Sequence, residues 1–196
     1  MNQNEIIKFF DRLAPFWDDG LNKNSKIINT ILDNAGVKSG CDVLDVACGT
    51  GVLISDYLER NICSVTGIDI SPEMLKIAKA KYPQAEFILS DAEKTEFSKE
   101  FDCIMIFNAF PHFPNPEGII SHLSKYLKPG GTLTVAHDMS REAINHRHED
   151  SASSVSIGLP TSDELAEIFS KYTDVTVKIS NEHMYQVTGI KKSFWS

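Results

Sequence analysis

The run Val43-Leu44-Asp45-Val46-Ala47-Cys48-Gly49-Thr50-Gly51 carries the clearest chemical signal in this chain. It is an apolar segment that ends in a carboxylate and then turns through two glycines into a helical pattern. That is the layout of a nucleotide-type pocket at the carboxyl end of a first parallel strand. Gly49 and Gly51 let the backbone bend sharply and approach a ligand with no Cβ in the way. Asp45 narrows the choice of ligand. A carboxylate inside the turn repels a pyrophosphate and attracts a ligand that carries an ammonium group. After Gly51 comes Val52-Leu53-Ile54, so the third glycine of the dinucleotide fingerprint is absent.

Four more polar residues close apolar runs further along. Asp69 follows Val65-Thr66-Gly67-Ile68, close to the ~20-residue offset at which an acid meets ribose hydroxyls. Asp91-Ala92 follows a third run; an acceptor there could take the exocyclic amino group of adenine, and Ala92 leaves room for the ring. Asn108 lies beside Phe110-Pro111-His112-Phe113, where a transferred group would sit, and His137 closes the fifth run. One polar strand end is unremarkable. Five in succession suggest one lined crevice.

The elements that must hold these residues alternate. Ile6, Phe9, Phe10 and Leu13 recur at helical spacing until Pro15. A second helix reads from Leu21 to Ala35, with Gly36 as its C-cap. Strands are expected at Asp42–Ala47, Ser64–Ile68, Glu86–Leu89, Phe101–Phe107 and Thr132–Ala136. Helices are expected at Val52–Glu59, after Ser71-Pro72-Glu73, and at 117–127, the last ended by Lys128-Pro129-Gly130-Gly131. Residues 139–158 are rich in Ser, His and charge, and read as an excursion rather than a core unit. Thr161-Ser162-Asp163-Glu164 forms a capping box for a helix to Tyr172. Asp174–Ile179 and Met184–Ile190 then alternate as an antiparallel pair. This rhythm predicts an α/β fold with a parallel sheet, helices on both faces and ligands outside the carboxyl ends of the strands.

Bulk properties exclude several function classes. The chain has 196 residues, enough for one domain with its own core. Its net charge of −8 disfavours nucleic acid, which needs clustered Lys and Arg. No run approaches the ~18 apolar residues of a membrane helix, and the N-terminus lacks a signal-peptide pattern. Cys41, Cys48, Cys63 and Cys103 form no CxxC and read as buried free thiols of a reducing compartment. A cytoplasmic location is expected by default.

The ordered segments VLDVACGTG (43–51), GIDISPEML (67–75), SDAE (90–93), FDCIMIFNAF (101–110) and LKPGGTL (127–133) resemble the class I S-adenosylmethionine-dependent methyltransferases. The likeness is to the small-molecule branch that includes ubiquinone and menaquinone methyltransferases, and it covers roughly residues 41–137. It implies a Rossmann-like seven-stranded sheet ordered 3-2-1-4-5-7-6, with strand 7 antiparallel. It implies S-adenosylmethionine as cofactor, an adenosine that carries a sulfonium and an ammonium but no phosphate. Asp45, Ala47, Gly49 and Gly51 would lie near its methionine end, Asp69 and Ile70 at the ribose, and Met74, Asp91, Ala92 and Asn108 around the remainder. Ala47 stands where many members have Gly, a departure expected to change little. One domain is expected over 1–196: an N-terminal helical lid (1–36), a donor-binding core (41–137), a substrate-side excursion (138–160), and a closing helix with two strands (161–196).

The acceptor is expected to be a small molecule, with no nucleic acid and no membrane as partner, and the chain to be a monomer or homodimer. Methyl transfer from a sulfonium needs an aligned nucleophile and exclusion of water, and a base only where the acceptor arrives protonated. His112 and His137 are the candidate catalytic groups. Trp17, Arg141 and His148 join them as candidate substrate contacts, Arg141 as a bidentate holder of an acidic group. Phe9, Phe10, Phe16 and Trp17 could lid the pocket. No metal is expected, because His137, Asp138 and His148 match no zinc spacing. The alternatives are a non-catalytic sensor or partner subunit that keeps only the donor pocket and, more weakly, a nicotinamide oxidoreductase, which the missing third glycine and Asp45 oppose.

Overall fold

The computed structural model describes residues 3–21, 23–151 and 155–192, and of 148–151 the backbone only. Strands β1 (Asp42–Val46), β2 (Ser64–Asp69), β3 (Glu86–Leu89), β4 (Phe101–Phe107), β5 (Leu127–His137), β6 (Thr173–Ser180) and β7 (Tyr185–Lys191) form one sheet ordered β3-β2-β1-β4-β5-β7-β6. The first five are parallel, and β7 runs antiparallel to both β5 and β6. This is the expected order and sense.

Both faces of the sheet are covered, so β4 is apolar throughout apart from Asp102. Its Ile104 and Ile106 pack with Ile119, Ile120 and Leu123 of α5 (Pro116–Ser124) and with Leu165 and Phe169 of α7 (Ser162–Ser170). Its Cys103, Met105 and Phe107 pack on the other face with Ile28, Ile31 and Leu32 of α2 (Ser25–Asn34) and with Tyr57 of α3 (Ile54–Glu59). α1 (Gln3–Leu13) and a 3-10 turn at Ala14–Phe16 precede this core, and α4 (Pro72–Lys81) joins β2 to β3. The Ser71 hydroxyl caps α4 by accepting the Met74 N–H at 3.1 Å, and Thr161 and Glu164 form the complete capping box of α7.

Four expectations need correction. The second helix begins at Ser25, not Leu21, because the Asn24 side chain caps the Lys26 and Ile27 N–H groups. Lys128-Pro129-Gly130-Gly131 does not end a helix; it lies within β5, where the pairing jumps from Phe101↔Leu127 to Cys103↔Thr132 across a bulge. The excursion at 139–158 contains a regular helix, α6 (Arg141–Ser151). Ile144 is its buried anchor, too little apolar surface to show as a periodic stripe. Among the cysteines, Cys41, Cys48 and Cys103 are buried, but Cys63 is exposed. Among the described residues no helix is long and apolar enough to cross a membrane.

Candidate active site

The carboxyl ends of β1 to β5 open onto a cavity of about 730 Å³, within the usual range for small-molecule sites. Strand register puts the ends side by side: Val46 pairs with Ile68 and Ile106, Asp69 with Leu89, and Phe107 with Ala136. Asp45, Asp69, Asp91, Asn108 and His137 therefore all reach the cavity wall. Ala47, Gly49, Ile70, Met74, Ala92, His112 and Trp17 line it too.

The turn after β1 needs left-handed backbone at three places. Ala47 has φ 55°, Gly49 φ 55° and Gly51 φ 81°. Ala47 therefore does more than stand in for a glycine: its Cβ sits in a conformation that costs an L-residue roughly 1–2 kcal/mol. A Cβ on Gly49 would approach the Trp17 Nε1 and the Met74 Sδ at 3.8 and 3.9 Å, so it would fill the cradle at the floor of the cavity. Gly51 differs. A Cβ there would come within 3.0 Å of the Tyr82 ring, and the residue is not part of the cavity wall. Its place is in the packing of the turn.

Charge defines the donor half. Asp45 is 3% exposed, and burial, followed by the nearby Asp69 charge, pushes its carboxyl up to about 8. The Tyr57 hydroxyl pulls it partly back, although it makes no hydrogen bond of good geometry. Asp69 is also raised by burial, and the backbone N–H groups of Ser71, Gly49 and Ile70 oppose that rise. Its Oδ2 accepts the Gly49 N–H at 2.8 Å and its Oδ1 the Ser71 N–H at 2.9 Å. Two buried carboxyl groups with no cation paired to them among the described residues, beside a turn that leaves space for a ligand, fit the sulfonium, ammonium and ribose of S-adenosylmethionine. They do not fit a pyrophosphate. Asp91 is more heavily engaged: it accepts from the Glu93 N–H at 3.0 Å, Gln3 Nε2 at 3.0 Å and Lys94 Nζ at 2.8 Å.

The other half of the cavity is aromatic. The Phe10 ring meets the edges of Phe9, Trp17 and His112 at centroid distances of 5.2, 5.8 and 5.0 Å. His112 Nδ1 lies 2.7 Å from the Val155 carbonyl, which requires the proton on Nδ1. His137 is buried against Tyr185 at the end of β5. Asn108, at φ 52°, donates from Nδ2 to Asp138 at 2.9 Å and so ties the ends of β4 and β5 together. Arg141 is not brought into the cavity; its Nε donates to the Leu159 carbonyl at 2.9 Å. The His148 side chain lies outside the described residues. No metal-ligating group of three forms among the described residues. Gln3, Met139 and Arg147 line the cavity without having been expected. They come from the first turn of α1 and from the excursion, and no local motif marks them.

Residues 43–131 match a family described as "Methyltransferase domain". The ubiquinone/menaquinone biosynthesis C-methyltransferase UbiE of Campylobacter jejuni is 30% identical over 159 residues, 71% of this chain and 66% of that protein. A ubiquinone biosynthesis O-methyltransferase of Xanthomonas oryzae is 33% identical over 143 residues, 67% of this chain and 59% of that protein. The chain thus spans less than two thirds of these relatives' length. Among solved structures, the N-methyltransferase NodS of Bradyrhizobium japonicum, in complex with S-adenosyl-L-homocysteine, superposes with a TM-score of 0.72 at 14% identity, covering 98% of this chain and 100% of that one. Sheet order, the acid-and-glycine turn and these likenesses agree: the chain belongs to the class I S-adenosylmethionine-dependent methyltransferases.

Proposed function

We propose that this protein transfers a methyl group from S-adenosylmethionine to a small-molecule acceptor held against Phe10, His112 and His137. When bound, the donor supplies an electrophilic methyl on a sulfonium. Asp45 then offers a counter-charge at the methionine end, and Gly49 leaves the backbone close. Asp69 has lone pairs left for the ribose hydroxyls after its two N–H bonds, and Asp91 and Ala92 border the adenine. Phe10 and Trp17 exclude water from the reacting end, which favours displacement by the acceptor over hydrolysis. His112 accepts the acceptor's proton on Nε2, and the Val155 carbonyl holds the ring in the tautomer that allows it.

One observation carries the choice of enzyme over sensor. The cavity does not stop at the donor residues but continues to Phe10, His112 and His137. A sensor needs only the first half. The curated relatives act in quinone biosynthesis, which supports a small, ring-bearing acceptor with an oxygen or carbon nucleophile. The test is incubation of the protein with methyl-labelled S-adenosylmethionine and a small-metabolite extract, with mass identification of labelled products. Donor binding by calorimetry without label in any small molecule would favour the sensor.

A further inference from the structure

The strand ends account for one wall of the cavity; the opposite wall is formed by α1 and the segment that follows it. Ile6, Phe9, Phe10 and Leu13 come from the helix, and Trp17 from the short turns beyond Pro15. A ligand between the two walls touches both of them.

Apolar burial holds this segment weakly. Ala14 is buried, but Phe16 is 68% exposed and Leu21 44%. The local backbone bonds, Trp17 N–H to the Ala14 carbonyl at 3.2 Å and Leu21 N–H to the Asp18 carbonyl at 3.3 Å, stay within the segment. Its attachments to the core are polar. Asp18 Oδ1 accepts the Thr50 hydroxyl at 2.6 Å, and its Oδ2 accepts Lys81 Nζ at 2.8 Å. Thr50 is fully buried and stands between Gly49 and Gly51, so Asp18 grips the donor turn itself. Burial raises the Asp18 carboxyl, but the hydrogen bonds from Lys81 and Thr50 outweigh it and hold it below the usual range. Asp18 does not line the cavity, whereas its neighbour Trp17 does, with Nε1 over Gly49.

The geometry points to Asp18 as a positioning residue that pins Trp17 over the glycine turn and so sets how long the donor stays bound. This rests on the donor reading above. The bond to Thr50 is charge-assisted and shielded on the Thr50 side, so it carries most of the latch. The Lys81 pair is about a third exposed at each end and contributes less, in a salt-dependent way.

The test uses the full chain with Trp195→Phe, which leaves Trp17 as the sole indole. S-adenosylhomocysteine dissociation is followed by stopped-flow fluorescence. In Asp18→Ala, dissociation accelerates about tenfold or more, the loss expected for a charge-assisted bond, while the ligand-free protein stays folded with a lower melting temperature, because the buried Thr50 hydroxyl loses its acceptor. Asp18→Asn keeps an acceptor for Thr50 but loses the charge, and restores part of the retention. Lys81→Met accelerates dissociation a few-fold and removes its salt dependence. An unchanged dissociation rate in Asp18→Ala, with S-adenosylhomocysteine still bound, overturns this inference alone. So does an Asp18→Asn variant as fast as Asp18→Ala. A parent that gives neither a fluorescence change nor heat with S-adenosylhomocysteine overturns the donor reading itself.

Discussion

Asp69, at the end of β2, accepts the backbone N–H of Gly49 at 2.8 Å and so ties the second strand to the turn that follows the first. With Ser71 N–H on its other oxygen, one carboxylate braces the turn, starts α4 and faces the cavity. Asp69→Ala strands these N–H groups at a cost of about 1–3 kcal/mol each. The variant should melt well below the parent and lose S-adenosylhomocysteine binding by calorimetry. Asp69→Asn keeps one acceptor oxygen and should recover part of the stability but little of the affinity.

Asp45 makes stability and donor binding respond to pH in opposite directions. Its carboxyl is raised to about 8 in the folded chain against an ordinary value of 3.8. Between these values the folded state holds a proton that the unfolded chain has released. Stability from this group is therefore highest at low pH, declines as pH rises from about 4 to about 8, and is level above. A cationic donor prefers the ionised form, so its binding at pH 7 should expel a proton. Calorimetry in buffers of different ionisation heat should register that proton in the parent and not in Asp45→Asn. Denaturation of Asp45→Asn should show a gain over the parent that grows up to about pH 8 and stays level above it.

Ala47 pays for its left-handed backbone in stability. Ala47→Gly relieves the Cβ contact and should stabilise the chain by about 1 kcal/mol, or roughly 2–4 °C. Ala47→Val should lower the melting temperature by more than that. Thermal scans of the three proteins at one pH decide it.

His112 and His137 separate by their effects on catalysis and stability. His112→Ala should lower methyl transfer by roughly 10²–10⁴-fold with donor affinity unchanged, the size of a lost general base. If His112→Ala retains full activity on an acceptor with a dissociable proton, its role as base is excluded. His137 is buried beside Tyr185, so His137→Ala should cost stability as well as activity.

Most of the fold and the donor half of the site were legible in the chain. Strand β4 is almost wholly apolar because both its faces are covered, Ser71 and Thr161 announce their helices with side chains that cap them, and a polar residue stands in or just beyond the carboxyl end of each of the first five strands. These signals are local: a hydrophobic period, a cap or a turn leaves its mark within a few residues. The signals failed where local chemistry points one way and pairing another. Pro129-Gly130-Gly131 reads as a break, yet β5 passes through it on a bulge. α6 buries Ile144 in the core but has almost no apolar stripe, and so was invisible as a helix.

The acceptor half depends on residues far apart in the chain. Arg141 and Arg147 share one helix, yet Arg147 lines the cavity and Arg141 turns to the Leu159 carbonyl. Gln3 reaches Asp91, and Asp18 reaches Thr50 and Lys81, across separations that no motif spans. Strand order and the glycine turn follow from covalent neighbours and hydrophobic periodicity, which are written along the backbone. Which side chain of a short helix or loop faces the ligand follows from how those segments pack on the sheet, and that packing exists only once the whole chain has folded.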